Sequence, residues 1–266
     1  MEGVRELYVE SKSFKDPWTL SKLLRSISEL VNLSCYQSTL DMGDLAQLQH
    51  LRRLKLDHSA IVSPASASLP CIPQLRHMSV EGSNIVSPST RFLTTAFLPE
   101  LRHLETAHPT QLAQFAPLIP RLQSIAFGSS FEDPAPLSAA TSLLLLSLPR
   151  QPVAHRDLLS KLPSLPPFLH INTALSPTRP SLGVHDELIP ALKDLLETKK
   201  SGLRVIFLCI EEVDATLISV VQQLEDRGIR VERGGGDMDF ANAIVRMEEI
   251  LAKEKRLIEK ASQGNW

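Results

Sequence analysis

The chain has 266 residues, and its 28 Lys+Arg against 30 Asp+Glu leave a net charge of −2, a balance that excludes a polyanion-coating tail or a histone-like role. Apolar residues make up 43% and charged residues 22%, which fits a folded chain and excludes a disordered one. Three Cys in so long a chain exclude a disulfide scaffold and suit a reducing compartment. Aromatics are only 5%, but Leu fills 44 positions, so Leu is the residue that must build the core. The longest apolar runs, 143–146 and 205–210, fall far short of the ~20 residues of a spanning helix. The opening MEGVRELYVESK lacks the basic and apolar regions of a signal peptide, so a cytoplasmic or nuclear chain away from membranes is expected.

In chain order, one phrase returns: apolar, two residues, apolar, one residue, apolar. It reads VRELYV at 4–9, LVNLSC at 30–35, LRRLKL at 51–56, LRHMSV at 75–80 and LRHLET at 101–106. It continues as LQSIAF at 122–127, LLLLSL at 143–148, LPPFLH at 165–170 and LRVIFL at 203–208. The steps are 26, 21, 24, 26, 21, 21, 22 and 38, and all but the last fall in the 20–29 period of leucine-rich repeats. A second apolar register sits three residues earlier, at Ile27, Leu48, Ile72, Leu98, Ile119 and Leu162, four of them followed by Pro. Proline there suits a chain about to enter a strand, since it has no N–H to give to a ladder.

The LxxLxL phrase at this period resembles the leucine-rich repeats of fungal F-box-type proteins, over roughly residues 3–232. The resemblance implies an α/β fold: a leucine-rich-repeat-like solenoid with a parallel concave sheet and helices or turns on the convex side. Two departures stand out. Where the family carries Asn or Cys after the last Leu, this chain has Ser38, Ser59, Ser83 and Ser130, with Lys12 and Pro109 in two other copies. Ser bonds loop backbone more weakly, so less regular turns are expected. No F-box precedes the first repeat strand, so the sequence predicts a fragment, or a chain that pairs through its N-terminal edge.

Between the phrases, 15–30 has helical spacing at Leu20, Leu23, Leu24 and Ile27. Shorter returns are expected at 90–97, 109–119 and 155–162, and a longer helix at 185–200 with acidic residues first and Lys last. The Pro-rich section 149–180 contains PSLP and PTRP and reads as an irregular solenoid loop, or else as a polyproline ligand. After the last phrase, 203–232 reads strand, helix, strand, and Gly234-Gly235-Gly236 ends it. The domains are therefore expected as 1–232, the solenoid, and 233–266, a helix with a stripe of Phe240, Ile244, Met247, Leu251 and Ile258 that caps the solenoid or binds a partner.

Catalytic chemistry has little to stand on. The glycine triplet lacks the spacing of a phosphate loop, and no Ser or Cys sits in a nucleophile elbow. His77 and His103 recur at the same repeat position near Glu81 and Glu105, but no metal-ligand spacing accompanies them. Cys35 and Cys209 read as buried thiols, and Cys71 as a loop residue. No enzyme, cofactor, metal or nucleic-acid partner is expected.

The residues between the apolar strand positions point away from the core. Arg5, Arg52, Arg76, Arg102 and Arg204 precede strands, and Glu10, Asp57 and Glu81 follow them, so one rim is basic and the other acidic. Toward the C-terminus these positions turn small or apolar, as at Leu145, Leu169 and Phe207. The expected protein-binding face comprises Tyr8, Tyr36, Arg53, Lys55, His77, Glu81, His103 and Glu105, with Tyr36 and Arg53 as anchors. The alternative is a self-neutralising charge ladder whose apolar end the terminal helix covers. The expected function is a non-catalytic protein-recognition module, and by resemblance the substrate-receptor part of an F-box-type ubiquitin ligase. An adaptor partner would need an upstream F-box. A scaffold protein unrelated to ubiquitin is the alternative, and an enzyme using the C-terminal strand–helix–strand unit a distant third.

Overall fold

A computed structural model describes residues 3–10, 17–62, 71–81, 96–106, 112, 114–127, 135–148, 164–172, 184–198, 202–209, 215–234 and 239–262. The chain forms two compact units, residues 1–143 and 144–266. The last helix belongs to the second of these units.

In the first unit every phrase becomes a strand. These are β1 (Glu6–Glu10), β2 (Asn32–Tyr36), β4 (Arg53–Asp57), β6 (His77–Glu81), β7 (His103–Thr106) and β8 (Ser124–Phe127). They pair in parallel and in chain order, without a slip: Leu7, Leu33, Leu54, Met78, Leu104 and Ile125 form one row. From Leu33 to Ile125 that row is buried. The period-2 alternation thus puts one Leu-type side chain of each repeat on the next, each contributing roughly 1.5–3 kcal/mol of burial. Between strands the chain returns partly as helix. The helix expected over 15–30 is shorter, α1 (Pro17–Arg25). It stops where the Ser26 hydroxyl donates to the Leu23 carbonyl at 2.7 Å, the local bond by which Ser competes with helix. Ile27 still reaches the core from the turn beyond. The returns expected at 155–162 and most of 90–97 lie outside the described residues, as do Lys12, Ser83, Pro109 and Ser130.

Among the described residues, the repeats of β2 and β4 each add a second short strand, which the sequence does not announce. β3 (Thr39–Asp41) and β5 (Ala60–Val62) pair in parallel beyond the main strands. To reach them the chain turns sharply at Gln37 (φ 49°) and His58 (φ 47°), left-handed positions in successive repeats. The residue after each turn is the expected Ser. Ser59 is buried; its hydroxyl accepts from the Ser38 N–H at 3.1 Å and lies 3.0 Å from the Cys35 and Asp57 carbonyls. One Ser thus stitches two neighbouring turns. Asp41 then caps α2 (Met42–Gln47), its carboxylate accepting from the Gly43 N–H at 2.7 Å.

The second unit carries β9 (Leu145–Leu148), β10 (Phe168–Asn172), β11 (Val205–Cys209) and β12 (Arg230–Gly234), again parallel and in chain order. Here one expectation needs correction. The phrase at 165–170 is out of register by one residue: Leu169 pairs with Leu146 and Ile206, and Ile171 with Leu148 and Leu208. Leu169 therefore lies in the core row, not on the outward face, and Phe168 and His170 take the outward places. A one-residue slip exchanges the faces of a whole strand. Helices α3 (Val184–Thr198) and α4 (Ala215–Asp226) pack together, and α4 also packs on β12. Gly228 (φ +81°) ends α4 in the left-handed conformation that spares a glycine the Cβ clash.

The final helix, α5 (Phe240–Ser262), lies against β9 and β10. Its place on the outward side follows from its partners. Glu232 belongs to the outward row Ser147–His170–Phe207–Glu232 and meets Arg246 of α5 at 3.2 Å. Arg204, stacked 5.5 Å from the Phe168 ring centroid, pairs with Glu254 at 3.1 Å. Phe240, Ala243, Ile244 and Met247 are buried, and so are Leu145, Phe168 and Phe207 of the outward face. The apolar stripe is thus consumed within its own unit. Only the last two turns, with Leu257 and Ile258 exposed, run on past it.

Candidate functional site

The outward face of the first unit has three rows in strict register. The first holds Glu6, Asn32, Arg53, His77, His103 and Ser124; the second Tyr8, Ser34, Lys55, Ser79, Glu105 and Ala126; the third Glu10, Tyr36, Asp57 and Glu81. All eight residues expected on the binding face therefore share one side of the sheet. Their exposure differs. Tyr8 is 67% exposed, and Arg53, Lys55 and Glu81 are exposed, while Tyr36, His77 and Glu105 are half-buried. His103 is only 6% exposed, so it is part of the packed face and not an open contact residue. Ser79, Ser124 and Ala126 are buried beside it. The open part of the face is accordingly β1, β2, β4 and the edge of β6.

The anchors are also further apart than their adjacent strands suggest. Arg53 pairs with Asn32, and Tyr36 with Asp57. Four residues of strand separate the two rows, about 13 Å at the usual rise. A single partner side chain does not reach both. Tyr36 instead meets the edge of His58, with ring centroids 6.1 Å apart, and receives a hydrogen bond from the Gln37 amide at 3.3 Å. Asn32 donates to Glu6 at 2.7 Å, which ties β1 to β2 at the head of the first row.

His77 and His103 lie edge to face, centroids 6.0 Å apart. Burial, with Arg53 adding to it, pushes His77 down to about 4. Burial, then His77 and the guanidinium groups of Arg53, Arg102 and Arg76, pushes His103 down to about 3. Both rings are therefore neutral at neutral pH. Neither pairs with enough carboxylates for an ion: among the described residues no group of three or more His, Cys, Asp or Glu is placed to hold a metal. Cys35 lies in the core, where burial raises its thiol to about 12, so it is not a thiolate at neutral pH. Cys209 is buried as well, and Cys71 is half-buried.

In the second unit the outward face is closed. The Ser147 hydroxyl and His170 Nδ1 lie 2.8 Å apart, a buried polar pair beneath the level of α5. Leu145 and Phe207, expected as an apolar contact surface, are fully buried. The cue to this in the sequence is the apolar stripe of α5, which matches the apolar outward positions of the preceding strands. Among the described residues no helix is long and apolar enough to cross a membrane.

No protein-family model matches the chain, and no curated protein does. Among solved structures it is similar to the crystal structure of an internalin C2 from Listeria monocytogenes, with a TM-score of 0.34 and 13% identity over 80% of this chain and 84% of that one.

Proposed function

We propose that the chain is a non-catalytic protein-recognition module that engages its partner through the outward face of β1, β2, β4 and β6. The observation that carries this reading is the register: exposed Tyr8, Arg53, Lys55 and Glu81 are held on one side by four parallel strands whose opposite side is core. Aromatic and Arg side chains on a rigid sheet are good interface anchors. Arginines at one rim and Glu10, Asp57 and Glu81 at the other give a partner a defined orientation. The narrower reading is the substrate-receptor part of an F-box-type ubiquitin ligase. It rests on the resemblance of the LxxLxL phrase, and it requires an adaptor-binding segment. A scaffold role unrelated to ubiquitin uses the same face, and the identity of the captured partner distinguishes the two.

Affinity capture followed by mass spectrometry, with the wild-type chain and the Tyr36→Ala/Arg53→Ala double variant, tests the reading. Both positions are outside the core, so the fold is expected to persist. Capture is expected to weaken by about 1–3 kcal/mol in total, since the two residues sit at separate ends of the face. Equal capture by both proteins would place recognition elsewhere.

A further inference from the structure

The arginines of the first unit form a ladder that folding alone does not explain. The residues entering β2, β4, β6, β7 and β8 are hydrogen-bonded in series through their backbones. Arg52 N–H donates to the Val31 carbonyl at 2.8 Å, Arg76 to Arg52 at 3.0 Å, Arg102 to Arg76 at 3.0 Å, and Gln123 to Arg102 at 2.7 Å. Three arginines therefore stand on successive strands, about 4.8 Å apart. Arg53 adds a fourth guanidinium at the head of the first outward row, beside His77. Like charges on adjacent strands destabilise a sheet. Arg52, Arg53 and Arg76 are exposed, and among the described residues no ion pair offsets them; Arg102 has Glu100 at 3.5 Å. Glu105 stands one row away, and Glu6 is engaged by Asn32. Asp57 and Glu81 lie about 13 Å off at the other rim, beyond a Debye length of about 8 Å.

We infer that this arginine rim binds an acidic peptide segment of the protein partner, its carboxylates lying across Arg53, Arg76 and Arg102. The inference rests on the recognition reading above and gives its partner a chemistry. The three strands from β4 to β7 span about 10 Å, and an extended peptide repeats its side chains on one edge every ~7 Å, so two carboxylates meet the ladder at once. Arg suits this role because its planar fork donates two parallel hydrogen bonds to a carboxylate. The neutral His77 and His103 rings lie beside the ladder: after burial, Arg53 lowers His77, and Arg53, Arg102 and Arg76 add to the lowering of His103.

The test is fluorescence anisotropy of a labelled octaglutamate peptide against the full chain. Binding is expected, weakening as salt is raised. Arg53→Gln/Arg76→Gln, both at exposed positions, should lower the affinity about tenfold with the thermal transition unchanged. Lys22→Gln/Lys253→Gln removes the same charge from exposed positions elsewhere and should leave binding as it was. Absence of binding, an equal loss in the two double variants, or binding of inorganic phosphate in place of the peptide would overturn the inference. If octaglutamate fails while Tyr36→Ala alone still lowers partner capture, the inference falls and the recognition reading stands. If both fail, the face itself is wrong.

Discussion

Leu104→Ala is expected to lower the stability of the first unit by about 2–5 kcal/mol, the range for buried Leu truncations. Leu104 is fully buried and lies in register between Met78 and Ile125, so the cavity has stacked side chains on both sides. A solenoid passes such a loss to its neighbours, because each repeat is held by the ones next to it. Hydrogen exchange should therefore speed up in β6, β7 and β8 together in the variant. The matched control is Leu7→Ala, in the same row but half-buried on the first strand, where the loss should be clearly smaller. Equal effects at the two positions would deny that the row is a continuous stack.

Met247→Asp should have the largest effect in the second unit. Met247 is buried on the face of α5 that covers the outward side of β9 and β10. A carboxylate there has no partner, and an unpaired buried charge costs several kcal/mol. The cheaper response is for α5 to come away from the sheet, exposing Leu145, Phe168 and Phe207. The expected signs are dye binding to newly exposed apolar surface and fast amide exchange along α5. Ile258→Asp, at a position 66% exposed on the same helix, should change neither. A silent Met247→Asp would mean that α5 does not hold that face closed.

Most of the architecture was legible because its signal is repeated. One LxxLxL phrase says little in a Leu-rich chain, but its return every 21–26 residues forces neighbouring strands into parallel order, since no single repeat buries its own apolar face. Legibility failed where a single residue decides. At 165–170 the phrase can be laid on the chain in two ways, and Pro166 and Pro167 give no apolar cue between them; pairing with β9 and β11 settles it on Leu169 and Ile171. The turns at Gln37 and His58 were hidden for a similar reason: neither is Gly, and their left-handed backbone is imposed by the hydrogen bonds around them. In the first unit alternation gave the outward face in register, yet alternation says nothing of burial. His103 and Ser124 face outward and are nonetheless covered, and the distance between Arg53 and Tyr36 depends on the row, which strand adjacency alone does not give.

The central claim is that each phrase is one strand, stacked in register on the next. Backbone NOE spectroscopy of the labelled chain tests it most directly. Parallel-sheet contacts are expected to join Leu33 to Leu54, Leu54 to Met78, Met78 to Leu104 and Leu104 to Ile125, each strand to its neighbour in chain order. Antiparallel contacts, or contacts that skip a repeat, would contradict it.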